Sequence, residues 1–225
     1  MPSETAARVL PDTKEHAAQL HLAHHFSSLA RQTDAARLAM WLFLATELLL
    51  FGGLFTAYSY YRFIFPAAWA EGSRHMNLTL GTVNTFILLG SSFTVAMSIH
   101  FARVNKSRLT VLMLAISIAC GFAFMGIKAY EYQEHFQHGL LPGKYLTSHE
   151  VKEPGVALFF VLYYMTTGLH AAHVVIGLTV LAVMAVRAWR GAFSEHYYTP
   201  LDLGGLYWHL VDIVWIFLYP LLYLI

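Results

Sequence analysis

The sequence predicts an all-α integral membrane protein of five transmembrane helices, with its N-terminus inside and its C-terminus outside. Three observations carry this. Asp, Glu, Lys and Arg make up 12% of the 225 residues, and the apolar classes make up 57%. An ordinary soluble domain is about 25% charged. Mean hydropathy is +0.52. The apolar residues gather into five blocks, and none alternates with the period of two that a barrel strand needs.

The blocks run over about residues 38–61, 80–102, 109–127, 156–186 and 203–225. Each is near or above the roughly 20 residues that cross a bilayer core. A helix satisfies its own backbone groups in lipid, so five helices follow. The fourth block is the longest and must tilt or project from the hydrocarbon. Two segments result: a polar N-terminal tail over residues 1–37 and a five-helix transmembrane domain over 38–225. The tail holds no apolar run behind a basic start, so no cleavable secretory signal is expected. Its His16–Leu29 stretch is weakly amphipathic, through Leu20, Leu22, Phe26 and Leu29. A membrane-surface helix and a disordered tail both stay open for it. The longest loop is expected from Lys128 to Glu153, with a turn at Pro142-Gly143.

Orientation follows the basic residues. One side would hold Arg8, Lys14, Arg31, Arg37, Arg103, Lys106, Arg108, Arg187 and Arg190. The other would hold Arg62, Arg74, Lys128, Lys144 and Lys152. The richer side is expected inside. A formal net charge of +1 removes the electropositive footprint of a nucleic-acid binder. One cysteine excludes an internal disulfide framework, a Cys-based zinc site and a C-x-x-C-H haem attachment. Thirteen histidines are the feature that a plain anchor does not explain.

Ionisable groups inside spans are costly and demand a partner. Glu47 sits in mid-span with no basic neighbour one turn away. It must pair with another helix, face a wet cavity or stay protonated. Thr166, His170, His173 and Gly177 follow 4-3-4 spacing and should share one helix face. Two histidines fall short of a metal site, which needs about three ligands, so interhelical hydrogen bonding is the expected use. Trp208, Asp212, Trp215 and Tyr219 form a second such stripe, expected to be a packed aromatic face. His209 and Asp212 are three apart and can pair locally. Small residues suggest close-packing faces at Gly81, Asn84, Ser91 and Ser92, at Ala115, Ala119, Ala123 and Gly126, and at Gly168 with Ala172.

Together these motifs resemble cytochrome c oxidase subunit III. Tyr207-Trp-His-Leu-Val-Asp-Ile-Val-Trp-Ile-Phe-Leu-Tyr-Pro220 is similar to the family's C-terminal signature. Thr167-Gly-Leu-His-Ala-Ala-His-Val174 resembles its T-G-x-H-x-x-H-V helix. Lys128-Ala-Tyr-Glu131-Tyr132 resembles its K-x-x-E-Y segment. Asn84-Thr85 with Ser91-Ser92 resembles its second-span pattern, and Glu47 falls where the family carries an intramembrane glutamate. The resemblance covers about residues 37–225. Ala171 departs from the family's frequent glycine, and five spans match the short bacterial branch. The histidine-bearing tail matches no family motif.

The resemblance implies a non-redox subunit of a bacterial haem-copper oxidase in the inner membrane. Its implied partners are catalytic subunit I, subunit II and structural phospholipid; a larger respiratory supercomplex stays open. Haem and copper are expected in those subunits, with no cofactor and no catalytic residue in this chain. The implied roles are support of the catalytic subunit and of proton uptake. Glu47, Lys128, Glu131, His170, His173, His209 and Asp212 are the expected structural or proton-related polar residues. Arg187 and Arg190 are the expected phospholipid head-group residues. Relatives in quinol oxidases and nitric oxide reductases keep the electron donor open, with an aa- or caa-type cytochrome c oxidase favoured. A membrane di-iron hydroxylase would use His21, His24, His25, His135 and His138, which the expected topology places on opposite sides. A proton or solute carrier would line a path with Glu47, His170 and Asp212, but repeated halves are missing.

Overall fold

The computed structural model describes residues 22–142, 155–195 and 197–225. Six helices occur among them: α1 Leu29–Ile64, α2 Pro66–Arg74, α3 Leu78–Arg103, α4 Ser107–Gln137, α5 Val156–Trp189 and α6 Thr199–Tyr223. All but α2 are long and apolar enough to cross a membrane. The described residues contain no named strand, only an isolated bridge between Ser194 and Tyr197 in the α5–α6 turn.

Local chemistry sets the helix ends. Ser28 and Asn77 cap α1 and α3 by accepting from the backbone N–H groups of Arg31 and Leu80. Pro66 opens α2, where its missing N–H costs nothing. Asn105 turns the chain between α3 and α4 at φ 56, a conformation that asparagine tolerates. Its Oδ1 accepts from Glu195 N at 2.9 Å and ties this turn to the α5–α6 turn. Gly155 precedes α5 at φ 99, with the Phe65 ring 3.2 Å from where a Cβ would stand. Pro220 interrupts the last turn of α6. The Tyr58 hydroxyl donates to the Leu221 carbonyl there, one of the end carbonyls that intrahelical bonding leaves over.

Helices α3 to α6 form the packed bundle, and α1 lies against it more loosely. Three residues of α1 are buried, Leu44, Phe51 and Tyr58, spaced seven apart. Twelve are buried on α6, including Trp208 and Trp215. Outward faces are apolar: Leu49 is 77% exposed and Phe63 87%. Helix α1, at 36 residues, is about 54 Å long at 1.5 Å per residue. It therefore projects beyond a core of roughly 30 Å. Arg37 of α1 and Arg103 of α3 both reach Asp202 of α6, at 3.5 and 3.4 Å. These three ends therefore lie together at one end of the bundle.

The structure corrects several expectations. Helix α4 continues ten residues past Ile127, so Lys128 and Glu131 are helical and buried, not loop residues. An ion pair replaces apolar character there and hides the continuation from a hydropathy reading. His135 is also buried on α4. Lys128 therefore drops out of the loop count used for orientation. Helix α2 was not expected; it buries Trp69 against Phe159 and Tyr58 in edge contacts of 5.8 Å each. Ala115, Ala119, Ala123 and Ala172 face outward, and Gly168 meets open space, so these small residues do not pack within the chain. The expected close approach at Gly81 is present, against the Tyr223 ring, and further ones occur at Gly72, Gly121, Gly177 and Gly205. Helix α1 begins at Leu29, nine residues before the first apolar block. Residues 16–21 of the amphipathic stretch lie outside the described residues, and 22–28 form turns, not helix. Residues 143–153 of the expected long loop also lie outside them.

Candidate functional site

Three polar assemblies are built into the helices. The first surrounds Lys128 and Glu131, one turn apart on the inner face of α4. Lys128 Nζ donates to Glu131 Oε2 at 3.2 Å, Tyr163 OH at 3.0 Å and Tyr223 OH at 2.9 Å. Both hydroxyls donate onward to Glu131 Oε1, at 2.8 and 2.5 Å. All three ammonium donors are thereby used. The rings of Tyr132, Tyr163, Trp215 and Tyr223 stand 5.1–5.6 Å from Nζ, within cation–π range. Side-chain exposure of the pair is 5% and 0%. A buried pair gains little net stability, but it penalises any packing that separates its partners. Three helices meet here, α4, α5 and α6, and their register is pinned. No open face is left for a substrate.

The second assembly joins α1 to α5. His173 Nε2 lies 2.8 Å from Glu47 Oε2, and His173 Nδ1 lies 2.8 Å from the Leu169 carbonyl. A carbonyl only accepts, so Nδ1 carries hydrogen. One proton then lies between Nε2 and the carboxyl, in a neutral pair or an ion pair of the same geometry. Phe51 packs edge-on to the imidazole at 5.2 Å. The pair is nearly but not fully enclosed, with 12% and 16% of its side chains exposed. Glu47 thus finds its partner on another helix.

The third assembly lies between α3 and α6. Trp208 Nε1 donates to Ser91 Oγ at 2.9 Å, and Trp215 Nε1 to Thr85 Oγ1 at 3.1 Å. His209 Nδ1 lies 2.6 Å from Ser92 Oγ. The local His209–Asp212 pair does not form. His209 reaches across to α3, while Asp212 turns inward and is 2% exposed. His170 sits between Phe124 and Trp215, at ring distances of 5.6 and 5.3 Å. His170 and His173 therefore part company: one faces the core and the other α1.

At the Asp202 end, Arg187 packs over the Phe193 ring at 5.5 Å, and Arg190 is exposed. A cleft of about 190 Å³ beside them is lined by Ser107, Arg108, Val111, Ala188 and Trp189. Two apolar grooves flank α1. One, of about 370 Å³, lies against α5 and α6 near Phe43, Ile176 and Tyr207. The other, of about 290 Å³, runs along α6 past Trp41, Leu48 and His209. Among the described residues no three His, Cys, Asp or Glu side chains gather as a metal site requires.

Sequence reasoning missed Tyr163, Tyr223 and Tyr58 as partners. Tyrosines near span ends read as an interfacial belt, and only tertiary packing shows them turned inward. The Arg37–Asp202–Arg103 contact was also missed, although opposite charges at three span ends are a usable signal.

Comparison with known proteins agrees with this architecture. The family model for cytochrome c oxidase subunit III matches residues 17–225. A "Cytochrome c oxidase subunit 3" from Synechocystis sp. is 35% identical over 196 residues, covering 85% of this chain and 76% of that protein. A "Probable quinol oxidase subunit 3" from Staphylococcus haemolyticus is 28% identical over 207 residues, covering 91% and 96%. One of the same description from Staphylococcus aureus is 27% identical over the same length. The assemblies around Lys128, Glu47 and Trp208 are thus the interior of a respiratory membrane subunit, and the chain belongs to the cytochrome c oxidase subunit III family of the haem-copper oxidases.

Proposed function

We propose that this chain is the non-redox third subunit of a bacterial terminal oxidase of the inner membrane. It packs beside subunit I and subunit II, which hold the haem and copper, and it stabilises the catalytic subunit. The carrying observation is the family match over residues 17–225. Supporting it, the intramembrane groups Glu47, Lys128, Glu131, His173 and His209 are engaged in bonds between or along helices. Arg190, with Arg187 beside it, anchors a phospholipid head group, and each basic residue at an anionic interface contributes about 1 kcal/mol. Glu47 and His173 hold a proton at the α1–α5 seam and support proton uptake by the complex. The N-terminus lies inside. With Lys128 withdrawn from the loops, nine basic residues stand against Arg62, Arg74, Lys144 and Lys152.

The test is purification of the complex through a tag on this chain. Haem and copper should co-purify in other subunits, and this chain, separated from them, should carry neither. Metal or haem bound to the separated chain would overturn the reading. A quinol-oxidising complex is the second reading, favoured by the relatives from Staphylococcus. A co-purifying subunit with a binuclear copper centre, and turnover with reduced cytochrome c, would decide for cytochrome c as donor.

A further inference from the structure

Asn84 on α3, His170 on α5 and Asp212 on α6 take no part in the bonded assemblies above. They are 0%, 1% and 2% exposed. Asn84 Oδ1 and Nδ2, His170 Nδ1 and Nε2, and Asp212 Oδ1 and Oδ2 all lack a hydrogen-bond partner among the described residues. Native interiors satisfy the large majority of buried polar atoms, and each exception asks for an explanation. Six of the nine such atoms among the described residues belong to these three side chains. Turning outward brings no relief, because the exposed faces of these helices are apolar.

Two of the groups border Trp215, and the third precedes its hydrogen-bond partner in the chain. The Trp215 ring lies 5.3 Å from His170. Its indole N–H is committed to Thr85, the residue after Asn84. Asp212 is one turn away on the same buried face of α6. His170 is held edge-on by Phe124, with the ring planes at 79°. An amide and an imidazole each offer both a donor and an acceptor, and a carboxyl group adds acceptors. The ligand that serves such a mixed set is one that donates and accepts equally, and that is water.

We propose that the interior of the α3–α6 bundle holds ordered water bound to Asn84, His170 and Asp212. A route for its exchange is visible. Ser92 stands close to the Asp212 carboxyl, whose oxygens find no well-formed hydrogen bond from it. Ser92 is bonded to His209, and His209 lines the 290 Å³ groove along α1. This hydration is independent of which electron donor the complex uses.

The test uses the intact oxidase complex in lipid nanodiscs. Infrared spectra identify the Asp212 band by its loss in Asp212→Asn. Transfer from H₂O to D₂O should shift that band. A density map fine enough to order water should show peaks at hydrogen-bond distance from Asn84, His170 and Asp212. The map requires no variant, so it decides even where Asp212→Asn fails to assemble. A band unmoved by D₂O would overturn the proposal. So would a map in which the three side chains satisfy one another directly, or a peak at cation-coordination distance that depends on the salt supplied.

Discussion

Lys128 has three N–H donors, and the bundle supplies three acceptors within 3.2 Å. That match makes the residue unforgiving. Replacing Lys128 by Met leaves the Glu131 carboxylate buried at 0% side-chain exposure without its counter-charge. Breaking a buried pair from one side costs about 3–5 kcal/mol. Lys128→Met and Glu131→Leu should each lower the thermal midpoint of the detergent-solubilised chain severely. The double variant should lose clearly less than the sum of the two, because the uncompensated charge is gone. Additive losses would show that the pair is not the unit that matters. Glu47 behaves differently, because its partner keeps its hydrogen on Nδ1. The amide of Glu47→Gln can donate to His173 Nε2, so the α1–α5 link should survive with less than about 1 kcal/mol lost. Glu47→Leu orphans the imidazole and should cost about 1–3 kcal/mol. Haem reduction in the assembled complex should stay unchanged in both. A loss of electron transfer in Glu47→Gln would contradict a non-redox role.

Among the helices, glycine marks contact in some places and exposure in others. A Cβ at Gly177 would stand 2.7 Å from Trp208 Cε3, and one at Gly168 meets nothing within 4 Å. Gly177→Ala should therefore cost about 1–3 kcal/mol through overpacking. Gly168→Ala should be neutral, or stabilise by up to about 1 kcal/mol through helix propensity. Thermal unfolding of the two variants in one detergent measures the contrast, and equal effects would deny that α5 packs on α6 at Trp208. The sequence reading gave close packing to Gly168 and set Gly177 on the histidine face, since spacing shows which residues share a face but not which face turns inward. Membrane helices make this ambiguity worse, because lipid-facing and core-facing residues are both apolar. The five spans were legible for the complementary reason: length and hydropathy suffice to predict a crossing helix. Helix α2 was not legible, because Pro66–Arg74 is short and mixed in character. It is ordered by Trp69 inserting between Tyr58 and Phe159, a tertiary effect. The stripe of Trp208, Asp212 and Trp215 was legible as a face, yet its polar member was assigned to His209 when it turns to the interior.

Across the whole molecule, the direction of insertion rests on where basic side chains stand. Lys128 illustrates the difference between counting and placing. In sequence it follows an apolar block and resembles a loop residue, whereas in the fold it is consumed by Glu131 and two tyrosines. Positive-inside bias acts through loops and span ends, so a charge neutralised inside the bundle should carry no topological weight. Arg37 and Arg103 meet Asp202 at one end, and Arg108, Arg187 and Arg190 belong to helix ends that the up-and-down chain path brings to the same side. Single cysteines at Arg190 and at Gly139, introduced after Cys120→Ser, test the consequence. A membrane-impermeant thiol reagent applied to intact cells should label Gly139→Cys and spare Arg190→Cys; inverted vesicles should reverse the pattern. Adding Lys128→Met should leave both patterns unchanged even while it destabilises the fold, because the insertion signal comes from the ends. Labelling of Arg190→Cys in intact cells would reverse the orientation. A pattern altered by Lys128→Met would mean that this lysine acts as a topological charge before the bundle closes around it.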